Sequence, residues 1–163
     1  MWLNAYSVRM VKRFIGIDPG SNCGWAVLDD AGGRVASGTW KLSGGRFDGA
    51  GMRFVRLDRH LRELFSATDD VVLGFEEVRR HMGTDAAHIY GGVVATVTRV
   101  CEELQVPYAG VPVGTVKKAA TGRGNAGKLE MVEAAETRWA LKVSDDNEAD
   151  ALWIADAVRI GLA

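Results

Sequence analysis

With 163 residues the chain has room for one domain and little more. Its 47% apolar and 25% charged residues are those of a core-forming globular protein, which excludes a disordered or low-complexity chain. No apolar run approaches the roughly 18 residues that cross a bilayer, and Met1 to Arg13 lacks the order of a secretion signal, so no membrane partner is expected. Cys23 and Cys101 stand far apart with no CxxC pairing, and read as small buried hydrophobes of a reducing cytoplasm. A net charge of −1 and a pI near 6.3 argue at first against a nucleic-acid protein. Clustering matters more than the total, and Lys117, Lys118, Arg123 and Lys128 fall within twelve residues with no acid among them.

Residues 1–10 show no period and read as a loose tail, with Met10 a candidate start; 11–163 read as the domain. Arg13–Asp18 is a short apolar run ending in Pro-Gly, a buried strand and turn. Trp25–Leu28, followed by Asp-Asp-Ala-Gly-Gly, predicts a second strand and a hairpin turn, and Arg34–Leu42 a third strand. Ser43–Gly51 is a Gly-rich loop. From Met52 to Phe65, Phe54, Leu57, Leu61 and Leu64 recur at helical steps. Val71–Phe75 is a fourth strand closing on Glu76-Glu77. Thr84–Leu104 carries a second helical stripe, and its Gly91-Gly92 pair implies a close packing partner. Val106–Val111 is a fifth strand. Gly127–Trp139 and Asp146–Ile160 are the final helices, the last capped by Ser144 or Asp145. A meander feeding two crossover units makes an α/β fold: a mixed five-stranded sheet covered by helices on both faces.

Four places could carry chemistry. Asp18 emerges at the C-terminal end of a central strand and is followed at once by a tight turn, where open α/β sheets bind ligands; the plainer alternative is a turn aspartate accepting backbone N–H groups. Glu76 ends an apolar strand and needs a partner or a metal if buried, or is a salt-bridged surface residue. A right-handed crossover would make its strand parallel to the first and bring both acids to one edge, while Glu77 points the other way. In Asp145-Asp-Asn-Glu-Ala-Asp150, Asp146 and Asp150 lie about 40° apart on a helix, so both share a face. Helix-dipole stabilisation accounts for Asp145 and Asp146 but poorly for Asp150, a turn further in. Together these acids make a hard oxygen site suited to Mg²⁺ or Mn²⁺ and not to zinc. They are enough for two cations about 4 Å apart in in-line phosphodiester cleavage. Finally, Val116 to Lys128 brackets a Gly-rich turn with lysines, an arrangement that favours phosphate or is a solvated charged loop. His60, His81 and His88 read as surface or packing residues.

These residues resemble the RuvC family of Holliday junction resolvases, its bacteriophage branch in particular, from about Phe14 to Val158. GIDPGSNCGWAV is similar to the family's first-strand motif, which implies a catalytic Asp18; GFEEV is similar to its strand-end motif, implying Glu76. VKKAATGRGNAGK resembles its lysine-bearing segment, placing Lys117 and Lys128 near scissile phosphates, with Lys118 and Arg123 as further substrate contacts. DDNEADAL resembles its last-helix motif, implying Asp150. The family's other helix acid falls on Asn147 here, and Asp146 is the nearest replacement. The resemblance further implies an RNase H-like fold, two metal ions per site held by Asp18, Glu76, Asp146 and Asp150, and a homodimer that nicks two opposed strands of a four-way junction. Arg79, Arg80, His81 and Met82 are candidates for opening the junction centre. A cytoplasmic location is expected, that of the bacterial host if the protein is phage-encoded.

The same metal site would serve a nuclease acting on flaps, other branched DNA, hybrids or structured RNA, because it reads phosphate and not topology. A sugar-kinase or actin-like ATPase also opens on a strand–aspartate–glycine turn, but needs a second lobe for which this chain is too short. A junction-binding protein without catalysis is the non-enzymatic alternative, resting on Asn147 alone.

Overall fold

The structure, a computed structural model, describes residues 11–68, 70–80 and 83–163. The tail expected over 1–10 lies outside them. Five strands, β1 (Arg13–Asp18), β2 (Asn22–Asp29), β3 (Arg34–Lys41), β4 (Val71–Glu77) and β5 (Tyr108–Pro112), form one sheet in the order β3-β2-β1-β4-β5. The first three make an antiparallel meander, while β4 runs parallel to β1 and β5 parallel to β4. Five helices cover it: α1 (Met52–Ser66), α2 (Thr84–Leu104), α3 (Val113–Thr121), α4 (Lys128–Trp139) and α5 (Asp146–Arg159). This is the predicted mixed sheet with helices on both faces.

The two-residue period of the strands sorts the core into two layers. Ile15, Ile17, Leu73 and Phe75 face α1 and α2, packing with Leu57, Leu61, Val93 and Val97. Phe14, Ala26 and Leu28 face the other way and pack with α5. The expected stripes on α1 and α2 are the buried ones in outline, although Leu104 is 42% exposed at the end of α2. Gly92 has its packing partner: a Cβ there would run into the Phe54 ring, whereas Gly91 has open space. No helix among the described residues is long and apolar enough to cross a membrane.

Three differences from the sequence reading have local causes. β2 starts at Asn22 and not at Trp25, because its register with β1 runs back to Asp18 opposite Gly24. β4 runs through Glu77, so Glu76 lies inside the strand. The segment after β5, read as part of a loop, begins with helix α3. Its Val113, Gly114, Thr115 and Val116 are poor helix formers, and Val116 is its one buried residue, so neither propensity nor period announces it.

α5 lies nearly buried, with Ala149 and every residue from Ala151 to Ala157 inside the protein. Glycines in the strands beneath it allow that depth. A Cβ at Gly16 would overlap the Ala151 carbonyl and the Ala155 nitrogen, and one at Gly24 would overlap the Asn147 carbonyl. Here α5 rests backbone to backbone on β1 and β2. Gly16→Ala is therefore expected to destabilise the protein by about 3 kcal/mol or more, measured by urea unfolding, since the obstructing atoms are main chain and cannot turn away. Gly45→Ala, with nothing within 4 Å of its Cβ, is the control and should change little.

Candidate active site

Ile17 sits opposite Phe75 in the parallel β1–β4 register. Asp18 and Glu76 are the next residues on each strand, so both leave the same end of the sheet. The alternation sets their side: Ile17 and Phe75 face α1 and α2, hence Asp18 and Glu76, like Gly16 and Gly74, face α5. Glu77 falls on the opposite face, where it reaches Arg79 at 3.8 Å. The preference for Glu76 over Glu77 thus follows from the pleat.

The start of α5 is fixed to the sheet by side chains of β3. Thr39 donates to Asp145, the N-cap, at 2.6 Å, and Asp145 accepts from the Glu148 N–H at 2.9 Å. Glu148, only 5% exposed, accepts from the Ser37 hydroxyl at 2.5 Å and from the Ser144 N–H and hydroxyl at 2.7 and 2.8 Å. Burial pushes the Glu148 carboxyl up, but these hydrogen bonds and Arg34 outweigh it and hold the group below its ordinary range. Sequence reading passed over Glu148; the one signal was Ser37 and Thr39 two apart on a strand, presenting hydroxyls on one face. Asn147 turns its side chain to Asp145 and its carbonyl to Gly24, and so belongs to this anchor.

Asp146 and Asp150 are thereby held on the face of α5 toward Asp18. Burial raises the Asp18 carboxyl well above the usual range, and the charges of Glu76, Asp150 and Asp146 raise it further, against a lowering by Lys128. Burial, then Asp150, pushes Glu76 up to about 7, with Lys117 opposing. Asp150 is raised to about 6 by burial and Asp146, with Lys117 and Lys128 opposing. Lys128, the first residue of α4, pairs with Asp146, which holds its ammonium above the usual range. Four carboxyls and two ammoniums therefore share one electrostatic site, drawn from β1, β4, α3, α4 and α5.

The other candidate residues stand apart from this centre. Lys118 is exposed on α3, about 100° round the helix from Lys117. Arg123 pairs with Glu130 in the first turn of α4. Arg79 and Arg80 are exposed just beyond β4; His81 and Met82 lie outside the described residues. His60 stacks on Trp40, ring centroids 4.7 Å apart, and Trp40 on Trp25 at 5.2 Å, so His60 is a packing residue. Cys23 and Cys101 are free and buried. A cavity of about 610 Å³ opens at the opposite end of the sheet, among Lys12, Phe65, Val71 and Pro107, and contains none of these acids.

Among the described residues, no three Asp, Glu, His or Cys side chains already close into a metal-holding set. The donor chemistry nevertheless fits a hard divalent cation. The donors are carboxylate oxygens, and three of the carboxyls are raised by burial and by neighbouring carboxylates, a repulsion that a cation would reverse.

The family model for crossover junction endodeoxyribonuclease RuvC matches residues 14–162. This chain belongs to the RuvC family. A RuvC from Synechococcus sp. (strain WH7803) is 30% identical over 152 residues, covering 88% of this chain and 95% of the relative. The structure of T. thermophilus RuvC in complex with a Holliday junction substrate superposes with a TM-score of 0.77 at 24% identity, over 95% of this chain and 98% of that one. The yeast mitochondrial Holliday junction resolvase Ydc2 superposes at 0.63 and 13% identity, over 91% and 78%. At these identities the two structures establish the shared fold, and the family assignment comes from the sequence match. RuvC membership carries divalent-metal dependence with it, in agreement with the carboxylate set.

Proposed function

We propose that this RuvC-family chain is an endodeoxyribonuclease that resolves four-way DNA junctions by paired, symmetric nicks as a homodimer. The carrying observation is the convergence of Asp18, Glu76, Asp146 and Asp150 beside Lys117 and Lys128 at one end of the sheet. The four acids hold two divalent cations, Mg²⁺ or Mn²⁺, and Asp146 fills the place that Asn147 vacates. When bound, such cations activate water and stabilise the leaving 3′ oxygen of a phosphodiester. The chain's residues supply the rest. Asp18 and Glu76 come from rigid strands and fix the height of the centre above the sheet edge, while α5, seated on glycines, brings Asp146 and Asp150 down to it. Lys117 and Lys128 offset the acids, so that an anionic backbone can approach a cluster that would otherwise repel it. Lys118, Arg123, Arg79 and Arg80 are assigned to the surrounding DNA. A two-fold dimer presents two such sites to a junction with its own approximate two-fold symmetry.

The testing experiment is cleavage of a labelled synthetic four-way junction, with linear duplex, flap and RNA–DNA hybrid controls, with and without Mg²⁺ or Mn²⁺. Paired nicks on the junction that require metal are expected. Cutting confined to a control would replace the substrate, and binding without cutting would leave a junction-binding protein.

Lys128→Ala is expected to slow cleavage and weaken junction binding. The slope of log K against log salt should fall by about 0.9, one phosphate contact. An unchanged slope would remove Lys128 from the DNA-contacting set.

A further inference from the structure

β1 and β4 form a parallel ladder whose alternation is visible at both margins of β4. Arg13 N–H donates to the Asp70 carbonyl at 2.8 Å, so Asp70 and every second residue after it (Val72, Gly74, Glu76, Val78) turn their backbone groups toward β1. Leu73 N–H donates to the Pro107 carbonyl at 2.9 Å, so the intervening residues turn toward β5. In a parallel pair, each inward residue donates to the carbonyl before its opposite number and accepts from the amide after it. Arg13, Ile15 and Ile17 take those positions on β1. The next in line is residue 19, opposite Glu77, and it should donate to the Glu76 carbonyl and accept from the Val78 amide. Residue 19 is a proline and has no N–H to donate.

Tyr90 of α2 makes that rung. Its hydroxyl donates to the Glu76 carbonyl at 3.0 Å and accepts from the Val78 N–H at 3.0 Å, the two groups left over by the ladder. Tyr90, Pro19 and Val78 line one cavity, so the phenol stands where β1 breaks away into its turn. A hydroxyl can be donor and acceptor at once, which a phenyl ring at this position could not replace.

We propose that Tyr90 is a positioning residue for Glu76: its hydroxyl completes the strand rung that Pro19 cannot make and holds Glu76 level with Asp18. The Pro-Gly turn releases the chain sharply after Asp18, and the cost is a frayed end on β4 at the residue that carries the second acid. Without the hydroxyl, the Glu76 carbonyl and the Val78 amide lose a shared partner and the end of β4 is free to twist. The Glu76 carboxylate would then move relative to Asp18 and Asp150. The inference rests on the reading of Glu76 as a metal ligand.

The test is Tyr90→Phe, which keeps the ring and removes only the hydroxyl. By calorimetric titration with Mn²⁺, the variant is expected to bind about tenfold more weakly than the wild type, as the loss of a supporting hydrogen bond does at metal sites. At saturating Mn²⁺ and junction, kcat should fall about tenfold while the junction Kd is unchanged. Amide exchange at Val78 should accelerate, with Leu73 unaffected. Wild-type Mn²⁺ affinity together with wild-type kcat, or unaltered exchange at Val78, would overturn the proposal. So would a wild-type protein that binds no Mn²⁺. A wild-type protein that binds Mn²⁺ but cuts no junction, with Tyr90→Phe still weakening the metal, would sink the substrate reading and leave the role of Tyr90 standing.

Discussion

Asp18→Asn and Glu76→Gln are each expected to lower junction cleavage by about 10³-fold or more while junction binding is retained or tightened. Each change keeps the shape of the side chain and removes one carboxylate donor from the set. Asp18 stands at the centre of that set, raised by burial and then by Glu76, Asp150 and Asp146 together. Binding persists because the contacts with phosphate come from cations, and removing a carboxylate reduces the repulsion of the DNA backbone. Cleavage and gel-shift titration on the same junction, in Mn²⁺ for cutting and in EDTA for binding, separate the two effects. Parallel loss of cutting and binding would show a collapsed fold and count against the assignment. The metal-free variants should also be no less stable than the wild type, which distinguishes them from Gly16→Ala.

The second large effect is on stability. Glu76 ordinarily titrates near 4.5 and here near 7. Between those values the native protein keeps a proton that the unfolded chain has released, so stability falls as pH rises through that window. Below about 4.5 the group is protonated in both states and costs nothing; above about 7 the whole penalty is present. At 1.36 kcal/mol per pKa unit, it amounts to about 3 kcal/mol for Glu76. Asp150, raised from 3.8 to about 6, and Asp18 act in the same direction. Glu148 and Asp145 are held low and act the opposite way, contributing stability that is lost as pH falls below the ordinary carboxylate range. The metal-free protein should therefore be clearly more stable at pH 4.5 than at pH 7.5. Glu76→Gln should recover about 3 kcal/mol at pH 7.5 and almost nothing at pH 4.5. Saturating Mn²⁺ should restore the wild type at pH 7.5 by about 3 kcal/mol at a hundred times its Kd, and the Gln variant by less. Urea unfolding at the two pH values, in EDTA and in Mn²⁺, reads all of these. A wild type equally stable at both pH values without metal would mean that the acids are not held together as the structure places them.

Glu76 shows what could be read from the sequence and what could not. Its strand, the apolar run before it and the choice over Glu77 follow from a two-residue period, which is local and survives in any sequence window. The helical face shared by Asp146 and Asp150 is equally local. α3 escaped because its first four residues are poor helix formers and its nine residues bury only Val116, so no apolar stripe marks it. From composition and period alone the two lysines of the segment are equivalent, and only the family resemblance sets Lys117 apart. The helix supplies the physical reason: Lys117 acts on Glu76 and Asp150, while Lys118, the next residue round, is exposed.

The sequence by itself determined the order of the five strands and of four of the five helices and, through four motifs in register with those elements, the family. Tertiary structure alone decided how they meet: that Glu148 and Asp145 clasp β3, that Asn147 belongs to this clasp while Asp146 faces Asp18, and that Tyr90 closes the ladder where Pro19 leaves it open. The physical reason is the range of the interactions. Periodicity and motif are set by covalent neighbours a few residues apart. A hydrogen bond such as that from Ser37 to Glu148 joins residues 111 positions apart, and the sequence records its two ends without recording that they touch.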